Sequence, residues 1–135
     1  MGGLRIPLVL SIGLMLIYDG YTFAARSSPG RDFIQTGIAS WYGREEQGKM
    51  TASGERFDRH DFTAASRRLP MNSVVRVTNE GNGRSVEVRI NDRGPFVHGR
   101  ILDLSEAAAN TLDMKTSGTA PVKVELLSAP KPVAP

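Results

Sequence analysis

The residues best suited to chemistry are carboxylates, and they gather in two polar segments bounded by glycine and proline. One is 48–58, GKMTASGERFD, and the other is 90–96, INDRGPF. Asp92 continues the alternation Val86, Val88, Ile90, so a pleat held two residues longer turns its carboxyl toward the buried side. Desolvation there would favour the protonated form. A protonated carboxyl in a cleft can act as general acid toward a leaving oxygen. The run Asn91-Asp92-Arg93-Gly94-Pro95 reads equally well as a turn in which Asp92 caps backbone amides. In the first segment, Ser53-Gly54 supplies a turn that could throw Glu55 toward the same rim, with Asp58 three residues on. Paired carboxylates are the minimum set for breaking a glycosidic bond. The plainer reading is a solvated turn flanked by Arg56 and Arg59.

Several other chemistries are excluded. The chain has no cysteine, which removes a thiol nucleophile, a cysteine zinc site, a disulfide scaffold and a lipid-modified cysteine anchor. His60 and His98 lie in different loops, and no second histidine follows at ligand spacing, so no metal is expected. No G-x-S-x-G, P-loop or G-x-G-x-x-G occurs, and no cofactor is expected. Lys and Arg number 17 against 14 Asp and Glu. That balance is too mild, and its longest basic run (Arg67-Arg68) too short, to indicate nucleic acid. Thirteen of the 17 are arginine, which suits fixed planar contacts to anions.

The elements that must position these residues are mostly strands. With 135 residues the chain holds one core. The β-branched runs 74–78 and 85–90 flank a turn-rich hairpin loop at 79–84, and 36–42, 62–65, 101–104 and 122–127 read as four more strands. Ser105 is the expected N-cap of one short helix over 107–112, with Glu106 favouring its N-terminus. Six strands and so little helix predict a small closed barrel, because closure removes exposed edges. Trp41 and Tyr42 end the first strand with opposite parity, one inward and one outward. A ring beside the rim could stack on a sugar, although core filling accounts for at least one of them.

The ends differ in character. The apolar stretch at 4–17 is shorter than the roughly 20 residues of a spanning helix. Small residues follow it, so 1–25 reads as a signal peptide that delivers the chain to the periplasm or exterior. An uncleaved anchor is the alternative. Residues 26–34 have linker composition, 35–128 form the domain, and the Pro-rich 129–135 a tail.

Taken together, G-x-A-S-W-Y-G (37–43), T-A-S-G-E-R-F-D (51–58), T-A-A (63–65), L-P (69–70), R-V-T-N (76–79), V-R-I-N-D-R-G-P-F (88–96) and G-R-I-L-D-L-S (99–105) resemble the rare lipoprotein A (RlpA) family. The resemblance implies an all-β fold, a six-stranded double-psi β-barrel with one or two short helices. It also implies a lytic transglycosylase acting on peptidoglycan glycan strands freed of stem peptides. The family's central acid falls on Asp92 and its rim acids on Glu55 and Asp58. Tyr42, Thr51, Ser53, Ser66 and Arg93 are the expected substrate contacts. Ser66 stands where the family commonly has histidine, and a hydroxyl cannot shuttle a proton near neutral pH. Expansins, related barrels that loosen walls without cutting, supply the rival expectation of a binding module.

Overall fold

The computed structural model describes residues 32–130. The expected signal peptide, most of the 26–34 linker and the tail beyond residue 130 lie outside the described residues. Six strands close into one barrel: β1 (Ile34–Tyr42), β2 (Thr63–Ala65), β3 (Val74–Asn79), β4 (Ser85–Asp92), β5 (Arg100–Ser105) and β6 (Thr119–Ser128). Their order around the barrel is β1-β5-β2-β4-β3-β6. The β1–β5 and β2–β4 pairs are parallel and the other four antiparallel. This mixed, closed sheet with one short helix is the double-psi barrel that the motifs implied.

All six strands form at the expected places, with β1, β4 and β6 extending two or three residues further, and alternation along the longer strands explains the core. Val75 and Val77 on β3, Val88 and Ile90 on β4, Leu102 and Leu104 on β5, and Val122, Val124 and Leu126 on β6 fill the interior with Ala39 and Ala64. The one α-helix among the described residues, α1 (Glu106–Thr111), packs Ala108 and Ala109 against this core, followed by Leu112 and Met114. The β1–β6 pairing sets Ile34 opposite Glu125. The chain therefore enters and leaves the barrel at one end, and Tyr42 lies at the other.

Two features that the sequence did not predict shape the polar surface of the barrel. A 3-10 turn, Arg44–Glu46, follows β1 directly. In addition, β4 does not stop at Ile90 but runs through Asn91 and Asp92, residues whose Asn-Asp-Arg-Gly-Pro composition suggests a turn.

Ser105 is buried and joins three pieces. Its Oγ accepts the Ala108 amide at 3.3 Å as the helix cap and the Thr63 amide at 3.4 Å, and donates to the Asp61 carbonyl at 2.6 Å. Ser105→Ala leaves these buried groups unpaired and should lower stability by about 1–3 kcal/mol. Urea denaturation of the two chains checks this as a lower midpoint at unchanged slope.

Candidate active site

The position of Asp92 is set by a single extra residue. Ala64 of β2 pairs with Ile90 of β4, but the next residue, Ala65, pairs with Asp92, so Asn91 is a β-bulge. Laterally paired residues share a face of the sheet, and a bulge reverses which face the following residues present. Ala64 and Ile90 face the core, so Asp92 faces outward. The uninterrupted pleat expected from the sequence, which keeps Asp92 on the face of Ile90, is therefore corrected, and with it the buried-side desolvation that was to favour its protonated form. On its other edge Ala65 pairs with Asp103 of β5. Two acids thus flank one alanine on the outer face. With strands spaced about 4.8 Å apart, their Cα atoms lie roughly 10 Å apart.

The second polar segment covers this face as a tight hairpin. The Thr51 amide donates to the Glu55 carbonyl (2.9 Å), the Gly54 amide donates to the Thr51 carbonyl (3.0 Å), and Met50 bridges Arg56. Gly54 takes φ +94 at the tip, a conformation that disfavours any side chain. Phe57 anchors the hairpin: it is buried and stacks on Tyr42 with ring centroids 4.7 Å apart. Two bonds dock the tip onto β4, from the Ser53 amide to the Asn91 carbonyl (3.1 Å) and from the Ala52 amide to Asp92 Oδ1 (2.9 Å).

Asp92 Oδ1 also accepts the Arg93 amide at 2.9 Å. One carboxyl oxygen is thus fixed by two backbone donors, and Oδ2 has no hydrogen-bond partner among the described residues. Asp103 is held by Arg100 Nη2 at 2.6 Å and by the Ser40 hydroxyl. Tyr42 pairs in register with Ser105, two residues beyond the Ser40–Asp103 pair, and so shares their outer face. Its hydroxyl is buried without a hydrogen-bond partner. Burial first, then the charges of Asp92, Asp103 and Glu46, push its ionisation well above the usual phenol range. The group remains an O–H donor next to the acid pair. Trp41, of opposite parity, packs against the core.

Glu55 lies on the same outer face but is engaged. Arg89 grips it with two bonds, at 2.5 and 3.2 Å. That charged hydrogen bond holds the Glu55 carboxyl below the usual range, outweighing partial burial, with help from Asn91 and Ser53. Glu55 correspondingly raises the Arg89 guanidinium.

The remaining expected residues serve the loops. Asp58 Oδ1 accepts the His60 amide at 3.0 Å and holds a turn. Thr51 Oγ1 donates to the Glu55 carbonyl at 2.6 Å and lies 3.0 Å from Ser53 Oγ, inside the hairpin. Ser66 is 1% exposed, and its Oγ accepts the Arg68 and Leu69 amides, both at 3.1 Å. The hydroxyl expected to meet substrate instead holds a buried turn. Arg93 Nη1 clamps that turn through the Ser66 and Leu69 carbonyls at 3.0 and 2.8 Å. Sequence reasoning missed Asp103, Arg89 and Asn91 as site residues. Between Leu102 and Leu104, Asp103 has the pattern of an ordinary solvent-facing strand residue, and only the pairing brings it to Asp92. Among the described residues no three His, Asp or Glu side chains converge as metal ligands.

A family model described as lytic transglycolase matches residues 34–124. The chain is 55% identical over 91 residues to the endolytic peptidoglycan transglycosylase RlpA of Campylobacter jejuni, covering 67% of this chain and 33% of that one. It is 48% identical over 105 residues to the protein of the same description from Vibrio cholerae, covering 78% and 40%. The chain thus spans a third to two fifths of the length of these curated relatives. Among solved structures, a Streptomyces papain inhibitor superposes with TM-score 0.61 at 22% identity, covering 75% of this chain and 99% of that one. A Clavibacter michiganensis expansin superposes with TM-score 0.56 at 19% identity, covering 76% and 54%. These two likenesses establish the barrel and nothing about its chemistry.

The Glu55–Arg89 clasp has a definite pH signature. A carboxyl whose folded value is lowered adds stability above its unfolded value, near 4.5, and loses it as pH falls through the folded value. Glu55 is partly exposed, so the effect is within about 1 kcal/mol. The melting-temperature gap between the natural chain and Glu55→Gln should be constant near neutrality and shrink as the pH drops below 4.5. Thermal scans across that range check it.

Proposed function

The chain belongs to the lytic transglycolase family, and from that membership we propose that it cuts the glycan of peptidoglycan endolytically between N-acetylmuramic acid and N-acetylglucosamine, leaving 1,6-anhydro-muramyl ends. The observation that carries this reading is the bulge-turned Asp92. It has one oxygen held by two amides, the other open, and a second acid across Ala65.

In the proposed reaction, Asp92 in its protonated form passes the proton from its open Oδ2 to the glycosidic oxygen. The bond from that oxygen to the muramyl C1 breaks, and the electron pair leaves with the oxygen. Positive charge develops at C1, and Asp103, steadied by Arg100 and Ser40, stabilises it electrostatically. Asp92, now a base, removes the proton of the muramyl 6-hydroxyl as that oxygen attacks C1. The ring closes and no water is consumed. Tethering favours this step, because the attacking hydroxyl is already on the reacting sugar. The Tyr42 hydroxyl, buried beside the acids, would act on them from beneath as an O–H dipole rather than touch the substrate.

Glu55 is the poorer candidate for the base, since its pair with Arg89 stabilises the ionised form and weakens its pull on a proton. Its part would be to fix the hairpin, and through Ala52 the orientation of Asp92. Asp58, Thr51, Ser53 and Arg93 would support the same loops. A preference for glycan stripped of stem peptides accords with the family resemblance. Peptidoglycan lies outside the cytoplasmic membrane, so the activity would place the domain there, with 1–25 as the export signal.

One observation favours a second reading, a non-cutting wall-binding module. Ser66, at the position where the family commonly has histidine, offers no group for proton transfer and keeps its hydroxyl on backbone amides.

Mass spectrometry of soluble products from denuded peptidoglycan separates the two. Anhydro-muramyl ends are expected; reducing muramyl ends would indicate a hydrolase, and pelleting without release the binding module. Asp92→Asn retains an oxygen for the two amides, so it should fold normally by circular dichroism. Product release should fall by at least about a hundredfold, the scale of a lost general acid. Unchanged turnover in this variant would refute the assignment of Asp92.

A further inference from the structure

A cavity of about 560 Å³ opens where β1 ends; Trp41 and Tyr42 line it together with the turn from Gly43 to Glu46, Arg59 and Glu106. Only Tyr42 is shared with the acid site, and the cutting mechanism uses none of the others. We propose that this cavity is an outer saccharide subsite, which takes an N-acetylhexosamine residue of the glycan strand beyond the sugars joined at the cut bond. Its ligand rests on the proposed glycan reading; its construction does not.

The cavity is built and held. A Cβ at Gly43 would lie 2.9 Å from the Trp41 ring and 3.1 Å from Glu106 Oε1, so glycine there lets ring and carboxylate close on the same backbone. Glu106 is fixed by Lys115 at 2.7 Å and Arg59 at 3.4 Å. Lys115 in turn stands over the Trp41 ring, 5.6 Å from its centroid. The aromatic wall is thereby braced by a cluster whose charges are already paired.

What remains on offer is mixed. Arg44 and Glu45, side by side on the 3-10 turn, make no side-chain hydrogen bond or ion pair among the described residues. An arginine supplies only donors and a glutamate only acceptors, so together they suit a ligand that presents both kinds of group at each edge. Vicinal hydroxyls and an acetamido group do so, and a pyranose also has an apolar face for an aromatic ring. The opposed charges disfavour a strongly anionic or cationic occupant. The volume lies in the range of small-ligand sites. Tyr42 connects the two places, since it lines the cavity while its hydroxyl feels Asp92 and Asp103. A strand lying across the acids therefore reaches this cavity with an outlying sugar.

Trp41 is the only tryptophan in the chain, so its fluorescence reports occupancy with or without cutting. The full chain carrying Asp92→Asn is titrated with denuded glycan oligomers of increasing length, and with stem peptide alone. A saturable change in emission is expected for the longer oligomers. Arg44→Ala in the same background should weaken their apparent Kd about tenfold, the scale of one charge-assisted hydrogen bond. The inference is overturned if the natural chain cuts glycan while Trp41 does not respond. Equal Kd with and without Arg44, or equal saturation by stem peptide, overturns it as well. A saccharide response that depends on Arg44, in a chain that releases no product, supports the subsite and counts against the cutting reaction.

Discussion

The geometry of the acid pair on this barrel depends on one surplus residue in β4. Without the bulge at Asn91, side-chain alternation would send Asp92 into an interior lined by Val88, Ile90 and Leu104, where a carboxyl has no solvent and no substrate. With it, Asp92 leaves the core and arrives level with Asp103, on the two edges of Ala65. The short strand β2 is therefore more than a spacer. Its small third residue is the floor between two acids, and its pairing on both sides sets their separation.

The hairpin at 50–56 completes what the bulge begins. Its tip donates an amide to Asp92, its flank gives Glu55 to Arg89, and its base plants Phe57 against Tyr42. Those three contacts tie a loop of polar residues to β4 and to the end of β1. Each uses a different interaction: a backbone donor on a carboxylate, a charged pair and a ring stack. Several residues expected to touch substrate are employed in this tethering. Serines and threonines in turns readily bond nearby backbone, and Thr51 and Ser66 do so here.

Strand positions and the helix cap at Ser105 were legible in the sequence because alternation and capping are local properties. The acids at Asp92 and Glu55 were legible as candidates, since carboxylates crowd between turn residues there. The face that Asp92 presents was not. A bulge is defined by the partner strand, and nothing in Ile90-Asn91-Asp92 announces which residue β2 will skip. Asp103 was hidden for the same reason, looking like any polar residue in an alternating strand until pairing carries it beside a distant one. Composition suggested a turn at Asn91-Asp92, yet Asp92 both belongs to a strand and caps amides. The two local readings of the segment were not exclusive.

The antiparallel pairing of β1 with β6 has a consequence for how the acids are laid out. Ile34 and Glu125 sit side by side, and Ser40, level with Asp103, lies six residues further along β1, roughly 20 Å at the rise of a strand. Yet β4 and β6 are both antiparallel to β3, and Val74 is level with both Arg89 and Ser128. Asp92 is therefore carried toward the end where the described chain leaves the barrel, and the line from Ser40 through Asp103 and Ala65 to Asp92 climbs from one end toward the other, as the tilt of strands in a closed barrel requires.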